Sequence, residues 1–256
     1  MSVIDLNADV GEADNPEWAW AEAQILQAVS SANIACGGHA GDDASMRTTV
    51  RGAVASGVTI GAHPAFPDRE NFGRRSLVLG EDITETELTR SLTAQIVRLA
   101  EICAEEGAAI AYVKPHGQLY NDAVSDARKA ELIARTIAAI DPKLILLGGP
   151  NSEMGRAAEA HGLRFVAEGF IDRRYSDHGH LVSRSNPGAV IEDQKARMAQ
   201  AVSLATTGRV ETVSGQPLTI TARSLCLHGD SAGAVETAHQ ARAAIEAAGV
   251  RVEPFA

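Results

Sequence analysis

Short apolar runs alternate along the chain with longer stretches in which apolar residues recur every three or four positions. The short runs, bounded by Gly or Pro, predict buried strands beginning near Val3, Ala32, Val58, Ile110, Leu144, Leu163 and Ser224. The longer stretches predict helices at roughly 17–29, 43–55, 85–105, 126–139, 153–160, 189–205 and 232–247. Thr84 followed by Glu87 fits a capping box, Asp42 or Asp43 suits the start of the second helix, and Ser231 that of the last. Four helical stretches pass through glycine straight into an apolar run: Ser56-Gly57-Val58, Glu106-Gly107-Ala108, His161-Gly162-Leu163 and Ala248-Gly249-Val250. Glycine takes the left-handed conformation cheaply and turns the chain back toward a sheet, so these sites predict helix–strand crossings rather than hairpins.

Seven strand–helix pairs predict an α/β fold, a seven-stranded (β/α) barrel one unit short of the usual eight. An open doubly wound sheet is the alternative that periodicity does not separate. No linker or shift in composition divides the chain, which predicts a single (β/α) barrel domain over residues 1–256. Two long loops, 65–84 and 170–187, break the rhythm at strand ends, where function concentrates.

Composition narrows the function. With 45% hydrophobic and 22% charged residues, a sizeable core is available. A net charge of −10 argues against nucleic-acid binding, which needs a basic surface. Cys36, Cys103 and Cys226 are odd in number and widely spaced. They predict core thiols in a reducing cytoplasm rather than a disulfide framework. The first residues lack a signal-peptide pattern, and no apolar stretch is long enough for a membrane span.

Candidate chemistry gathers at the strand ends. His39, His63, His116 and His228 each sit just past an apolar run, and in parallel α/β folds ligands bind at the carboxyl ends of the strands. Four groups that titrate near neutral pH are therefore expected to converge on one pocket. Asn7, Asp9 and Glu12 follow the first strand; Asp9 suits proton transfer or metal ligation, and a loop or capping carboxylate is the plain alternative for Asp9 and Glu12 alike. Lys114, ending a strand in Lys114-Pro115-His116-Gly117, is expensive to bury unless paired or functional. It either holds a substrate carboxylate or oxyanion, or forms a structural ion pair. Asp230, two residues after His228, is expected to orient that imidazole or to cap the following helix. Arg74, Arg75 and Arg173, in the long loops, suit an anionic substrate group or inter-loop salt bridges. His161 suits a helix end, His239 a solvated helix face, and His178 and His180 have no assigned role. There is neither a P-loop nor a Gly-x-Ser-x-Gly elbow.

Taken in order, these segments resemble the LamB/YcsF family nearly end to end: Asp5-Leu6-Asn7-Ala8-Asp9-Val10-Gly11-Glu12, Ser31 through Asp42, Gly61-Ala62-His63-Pro64, Phe72-Gly73-Arg74-Arg75, Val113 through Gly117, Asp172-Arg173-Arg174-Tyr175, Leu181-Val182-Ser183-Arg184 and Cys226 through Asp230. Departures are Gly38 where the family usually has Phe, Ala8 for a frequent Cys, Asn71 for Gly and Gln118 for Ala; Gly38 is expected to widen the pocket beside His39. The resemblance implies a barrel of the glycoside hydrolase/deacetylase type. It also implies the A component of an ATP-hydrolysing 5-oxoprolinase, acting with subunits B and C. The implied reaction opens the lactam of 5-oxo-L-proline to L-glutamate, and the complex consumes ATP at a site the sequence does not place. A divalent metal is compatible with this, but no protein-bound metal site is expected.

On these grounds Asp9, His39, His63, His116, His228 and Asp230 are the catalytic candidates, and Asn7, Lys114, Arg74, Arg75 and Arg173 the substrate-binding ones. The first rival is a stand-alone metal-dependent deacetylase or amidohydrolase using Asp9 and two histidines. Against it stand the lack of a His-x-x-x-His pair and the nearby Lys114. The second rival is a non-catalytic ligand-binding protein.

Overall fold

The computed structural model describes residues 2–184, 186–230 and 233–256. Ten strands appear among them: β1 (Val3–Val10), β2 (Ser31–Ala35), β3 (Thr59–His63), β4 (Ile110–Val113), β5 (Ile145–Gly148), β6 (Phe165–Phe170), β7 (Arg209–Glu211), β8 (Pro217–Thr219), β9 (Ser224–His228) and β10 (Arg251–Val252). The helices are α1 (Pro16–Ile25), α2 (Asp43–Ser56), α3 (Glu85–Glu105), α4 (Gly117–Ala123), α5 (Ala127–Ile140), α6 (Glu153–Ala160), α7 (Gln194–Thr207) and α8 (Ala234–Ala247). Strands pair in parallel in the order β1-β2-β3-β4-β5-β6-β9, and β9 returns to β1, closing a seven-stranded barrel. The doubly wound alternative is thereby excluded. No described helix is long and apolar enough to cross a membrane.

Gly57, Gly107, Gly162 and Gly249 all have positive φ, as the helix–strand crossings require. Thr84 and Glu87 form a reciprocal capping box, and Asp42 caps α2 through the Ser45 N–H. Ser231 lies outside the described residues. Helix α7 starts at Gln194, capped by Asp193, rather than near 189, and α1 stops at Ile25 rather than near 29. The short α4, the β7–β8 hairpin and β10 have no counterpart in the periodicity of the sequence.

The outward faces of the strands meet the helices in one apolar core that includes Leu6, Ala8, Val10, Ile34 and Leu225. The inward face is polar. Asp5, Asn7 and Asp9 of β1 point into the barrel and share its hydrogen bonds: Asn7 Nδ2 donates to Ser224 Oγ (2.6 Å), and Asn33 Nδ2 donates to Asn7 (2.7 Å) and Asp9 (2.7 Å). Toward the amino ends of the strands a second apolar cluster of Tyr112, Ile145, Leu147, Val166 and Phe255 fills the interior. Tyr112 reaches across to donate to Asn33 Oδ1 (2.7 Å), and it fits only because Gly61 opposes it. A Cβ at Gly61 would lie 2.2 Å from the Tyr112 ring. Gly61→Val is therefore expected to cost about 1–3 kcal/mol by overpacking, measured by denaturant unfolding.

Asp5 is buried among Ser30, Ser31 and Ser224. Burial outweighs these hydroxyl donors and raises its pKa from the ordinary 3.8 to about 6. A carboxyl that holds its proton more tightly when folded stabilises the native state at low pH and loses that contribution as pH rises from about 4 to about 6. Asp5→Asn should thus gain stability relative to wild type across that interval and stay level above it. Parallel urea melts at pH 4, 5, 6 and 7.5 check this, and a flat difference would contradict it.

Candidate active site

The carboxyl ends of the strands open into a cavity of about 560 Å³, within the range of small-molecule sites. Its walls include Asp9, His63, Lys114, His116, Tyr120, Glu168, Arg173, Arg184, His228 and Asp230. Three of the four strand-end histidines meet in one cluster. His39 and His116 stack with parallel rings 3.5 Å apart, and His63 meets both edge-on. Glu12, whose backbone N–H is held by the buried Glu22 carboxylate (2.8 Å), reaches in so that its Oε1 lies 2.8 Å from His39 Nε2. Burial, followed by the Asp9 charge, pushes the Glu12 carboxyl up to about 8. Burial, followed by neighbouring imidazoles, holds His39 and His116 well below the ordinary histidine value, so both are neutral near pH 7. Donor atoms of Glu12, His39, His63 and His116 lie within 4.8 Å of one another, one carboxylate and three imidazoles of a kind that can hold a divalent cation.

Loop geometry fixes this cluster. Phe72, in the left-handed region at φ 54°, aims its carbonyl at His116 Nε2 (3.0 Å). A strained non-glycine residue of this kind is characteristic of functional sites. Gly73 then passes so close that a Cβ would sit 3.1 Å from both His116 and His39. Gly38 does not widen the pocket as expected. The space beside it is filled by Gln95, which holds both the N–H and the carbonyl of Ala65 at 2.9 Å. That side chain braces the loop after β3.

His228 stands in a second arrangement, stacked on Phe170. Its partner is Asp172, at 2.9 Å from Nδ1, and not Asp230. Burial would raise the Asp172 carboxyl, but the His228 imidazole and N–H outweigh it and lower it to about 2. Asp230 pairs instead with Arg74 (2.5 Å) and lies 3.6 Å from Arg184. The expected orienting role of Asp230 is therefore corrected: β9 ends at His228, and the chain turns at Gly229 against the Asp9 carbonyl, carrying Asp230 to the mouth.

Lys114 resolves to an ion pair. Its ammonium is surrounded by Asp9 Oδ1 (3.0 Å), Glu168 Oε2 (3.2 Å), Asn7 Oδ1 (3.3 Å) and Cys226 Sγ (2.9 Å). Three N–H donors already face four acceptors, leaving none for a substrate carboxylate. Burial would lower its pKa, but Asp9, then Cys226 and Glu168, hold it well above the ordinary lysine value. The same ammonium keeps Asp9 ionised against burial. Asn7 is likewise corrected, being sealed beneath this pair rather than on the cavity wall. Arg75 is exposed and off the wall, whereas Arg74 lies at the mouth over the Phe72 ring.

Arg173 is buried in the wall, its Nη2 donating to the Val182 carbonyl (2.6 Å). Burial and then the nearby Arg184 lower it to about 10. Two buried atoms on this wall have no hydrogen-bond partner, Arg173 Nε and Asp230 Oδ1, while the Tyr120 hydroxyl hydrogen-bonds the Glu168 carboxylate. A donor and an acceptor left bare in a cavity are complementary to a small polar ligand. Glu168, Asp172 and Arg184 carry no local signal of such a role; only their place at strand ends or in the second long loop points to them. His161 sits at the end of α6 beside Glu131 (2.6 Å), and all three cysteines are buried thiols.

A closed parallel barrel with clustered acid–base groups at its carboxyl face defines the (β/α) barrel proteins of the glycoside hydrolase and deacetylase type. Two distant relatives by fold illustrate the breadth of that class. A candidate cellobiose-phosphate cleavage protein from Enterococcus faecalis V583 is 12% identical over 99% of this chain and 97% of its own, with a TM-score of 0.61. A GH113 β-1,4-mannanase is 10% identical over 97% and 99%, with a TM-score of 0.55. The chain belongs to the LamB/YcsF family, whose profile matches residues 4–256. It is also similar to the lactam utilization protein from Thermus thermophilus, 38% identical over the full length of both chains with a TM-score of 0.89.

Proposed function

We propose that this chain is the ring-opening component, A, of an ATP-dependent 5-oxoprolinase and works with subunits B and C. The observation that carries the reading is the His228–Asp172 pair. An ionised carboxylate fixes Nδ1 as the N–H and leaves Nε2 as a base on a cavity that His228 shares with Arg173 and Arg184. The full-length similarity to a lactam utilization protein supplies the substrate class.

An amide is a poor electrophile, so the ATP-consuming partners activate the lactam oxygen, and this chain adds water to the activated carbon. The C–N bond then breaks, the nitrogen leaves as an amine carrying a proton, and the former carbonyl carbon, still bearing the phosphoryl group from ATP, becomes the side-chain carboxylate of L-glutamate when a second water releases inorganic phosphate. His228 takes the proton from water and returns it to nitrogen. Arg173 and Arg184 hold the substrate carboxylate.

Two measurements check this. Mixing the chain with subunits B and C, ATP and 5-oxo-L-proline should release glutamate, with no release when any protein or ATP is omitted. Turnover by this chain alone would favour a stand-alone amidohydrolase instead. Arg184→Gln, which removes one charge from the cavity wall, should raise KM for 5-oxo-L-proline about 10- to 100-fold, with kcat changed much less.

A further inference from the structure

Hydrogen-bond partners fix the tautomers of two imidazoles in the histidine cluster, and those tautomers conflict. His63 Nδ1 lies 2.7 Å from the Lys114 carbonyl, and His116 Nε2 lies 3.0 Å from the Phe72 carbonyl. A carbonyl oxygen only accepts, so each of these nitrogens carries the N–H. In the neutral rings the other two nitrogens, His63 Nε2 and His116 Nδ1, therefore carry bare lone pairs, and they face each other at 3.0 Å. Two carboxylate oxygens look into the same space. Glu12 Oε1 lies 3.5 Å from His116 Nδ1, and Asp9 Oδ2 lies 3.5 Å from His63 Nε2. The two bare nitrogens and the ionised Asp9 oxygen surround one point in a buried site with the Glu12 carboxyl beside them, an arrangement that costs free energy unless a positive centre sits among them.

A proton on one ring would bridge only the two nitrogens, leaving both carboxylate contacts at 3.5 Å. A metal ion would engage the nitrogens and a carboxylate together. Two nitrogens on one tetrahedral ion, each at about 2.05 Å, stand about 3.3 Å apart, close to the separation observed here. The two backbone carbonyls already supply the outer hydrogen bonds that normally orient metal-bound histidines. His39, whose Nδ1 is buried without a partner, adds a third imidazole through Nε2 beside Glu12. Lys114 does not oppose the charge directly. Asp9 stands between, with Oδ1 toward the ammonium and Oδ2 toward His63.

We propose that Glu12, His39, His63 and His116 form a binding site for one divalent transition-metal ion of the zinc type. Mixed nitrogen and carboxylate donors suit Zn²⁺ and Co²⁺ better than the oxygen-loving Mg²⁺ or Ca²⁺. The site stands independently of the substrate assigned above, because its test requires neither 5-oxo-L-proline nor the partner subunits.

The test titrates the chelator-treated, folded chain with Zn²⁺ by calorimetry and with Co²⁺ by visible absorption. One equivalent of Zn²⁺ should bind per chain, and Co²⁺ should give the strong ligand-field bands of a low-coordinate nitrogen site. His63→Ala and His116→Ala should each weaken binding at least tenfold, whereas His239→Ala, on the exposed face of α8, should not. Circular dichroism identifies any variant that fails to fold, in which case wild-type stoichiometry and the Co²⁺ spectrum decide. Failure of the wild type to bind either ion would overturn the proposal. So would binding that survives both substitutions in folded protein.

Discussion

Asp172→Asn should lower kcat for glutamate release by the reconstituted complex about 10²- to 10⁴-fold, with little change in KM. The amide is nearly isosteric and keeps one oxygen, so the loop around Asp172 retains its shape. What it loses is the charge that holds His228 in one tautomer and stabilises the imidazolium formed during proton transfer. An Asn side chain can equally turn its NH₂ toward Nδ1, which places the imidazole proton on Nε2 and removes the base from the cavity. Because burial is outweighed by His228 and the wild-type carboxyl lies at about 2, Asp172 itself stays ionised at every pH at which an assay is practical. The loss in the variant should therefore persist across the pH range. Steady-state assays from about pH 6 to pH 9 check this, and recovery of kcat at high pH would place the base elsewhere.

The second large effect concerns stability. Lys114→Met should destabilise the chain by about 3–5 kcal/mol, because it strands two buried carboxylates, Asp9 and Glu168, beside each other without a cation. For a protein of this size that corresponds to a fall in melting temperature of roughly 6–20 °C. Lys114→Arg should not restore it, since a planar guanidinium does not match the four acceptors packed around a compact ammonium. Both follow from thermal melts read by circular dichroism. A Met variant as stable as wild type would show that the two carboxyls simply take up protons.

The barrel was legible because its signals are local and repeated. Each glycine after a helix had to adopt positive φ, and each apolar run ended at the same face. The histidines were legible for the same reason, since a strand end is a place that sequence can locate. What sequence could not supply was depth and partnership. Asn7 and Asp9 share a face of β1, but two residues of strand advance about 7 Å, enough to seal Asn7 below the pocket that Asp9 lines. Asp230 was the natural partner for His228 by proximity along the chain, yet the true partner is 56 residues away in the second long loop. Glu168 and Glu12 are single carboxylates with no periodic signature; only the closed barrel shows that one braces Lys114 and the other completes the histidine cluster. The absence of a His-x-x-x-His pair points away from a metal site in the sequence, whereas these donors come from four separate strand ends.

Hydration by this chain of a lactam that its partners have activated is the central claim. The most direct measurement follows ATP cleavage and glutamate release together in a reconstituted complex carrying His228→Gln. The predicted result is uncoupling: 5-oxo-L-proline still stimulates ATP cleavage while glutamate release falls at least about a hundredfold. If glutamate release were unchanged, or if both activities fell in parallel in a folded, assembled complex, ring opening would not depend on His228 in the way proposed.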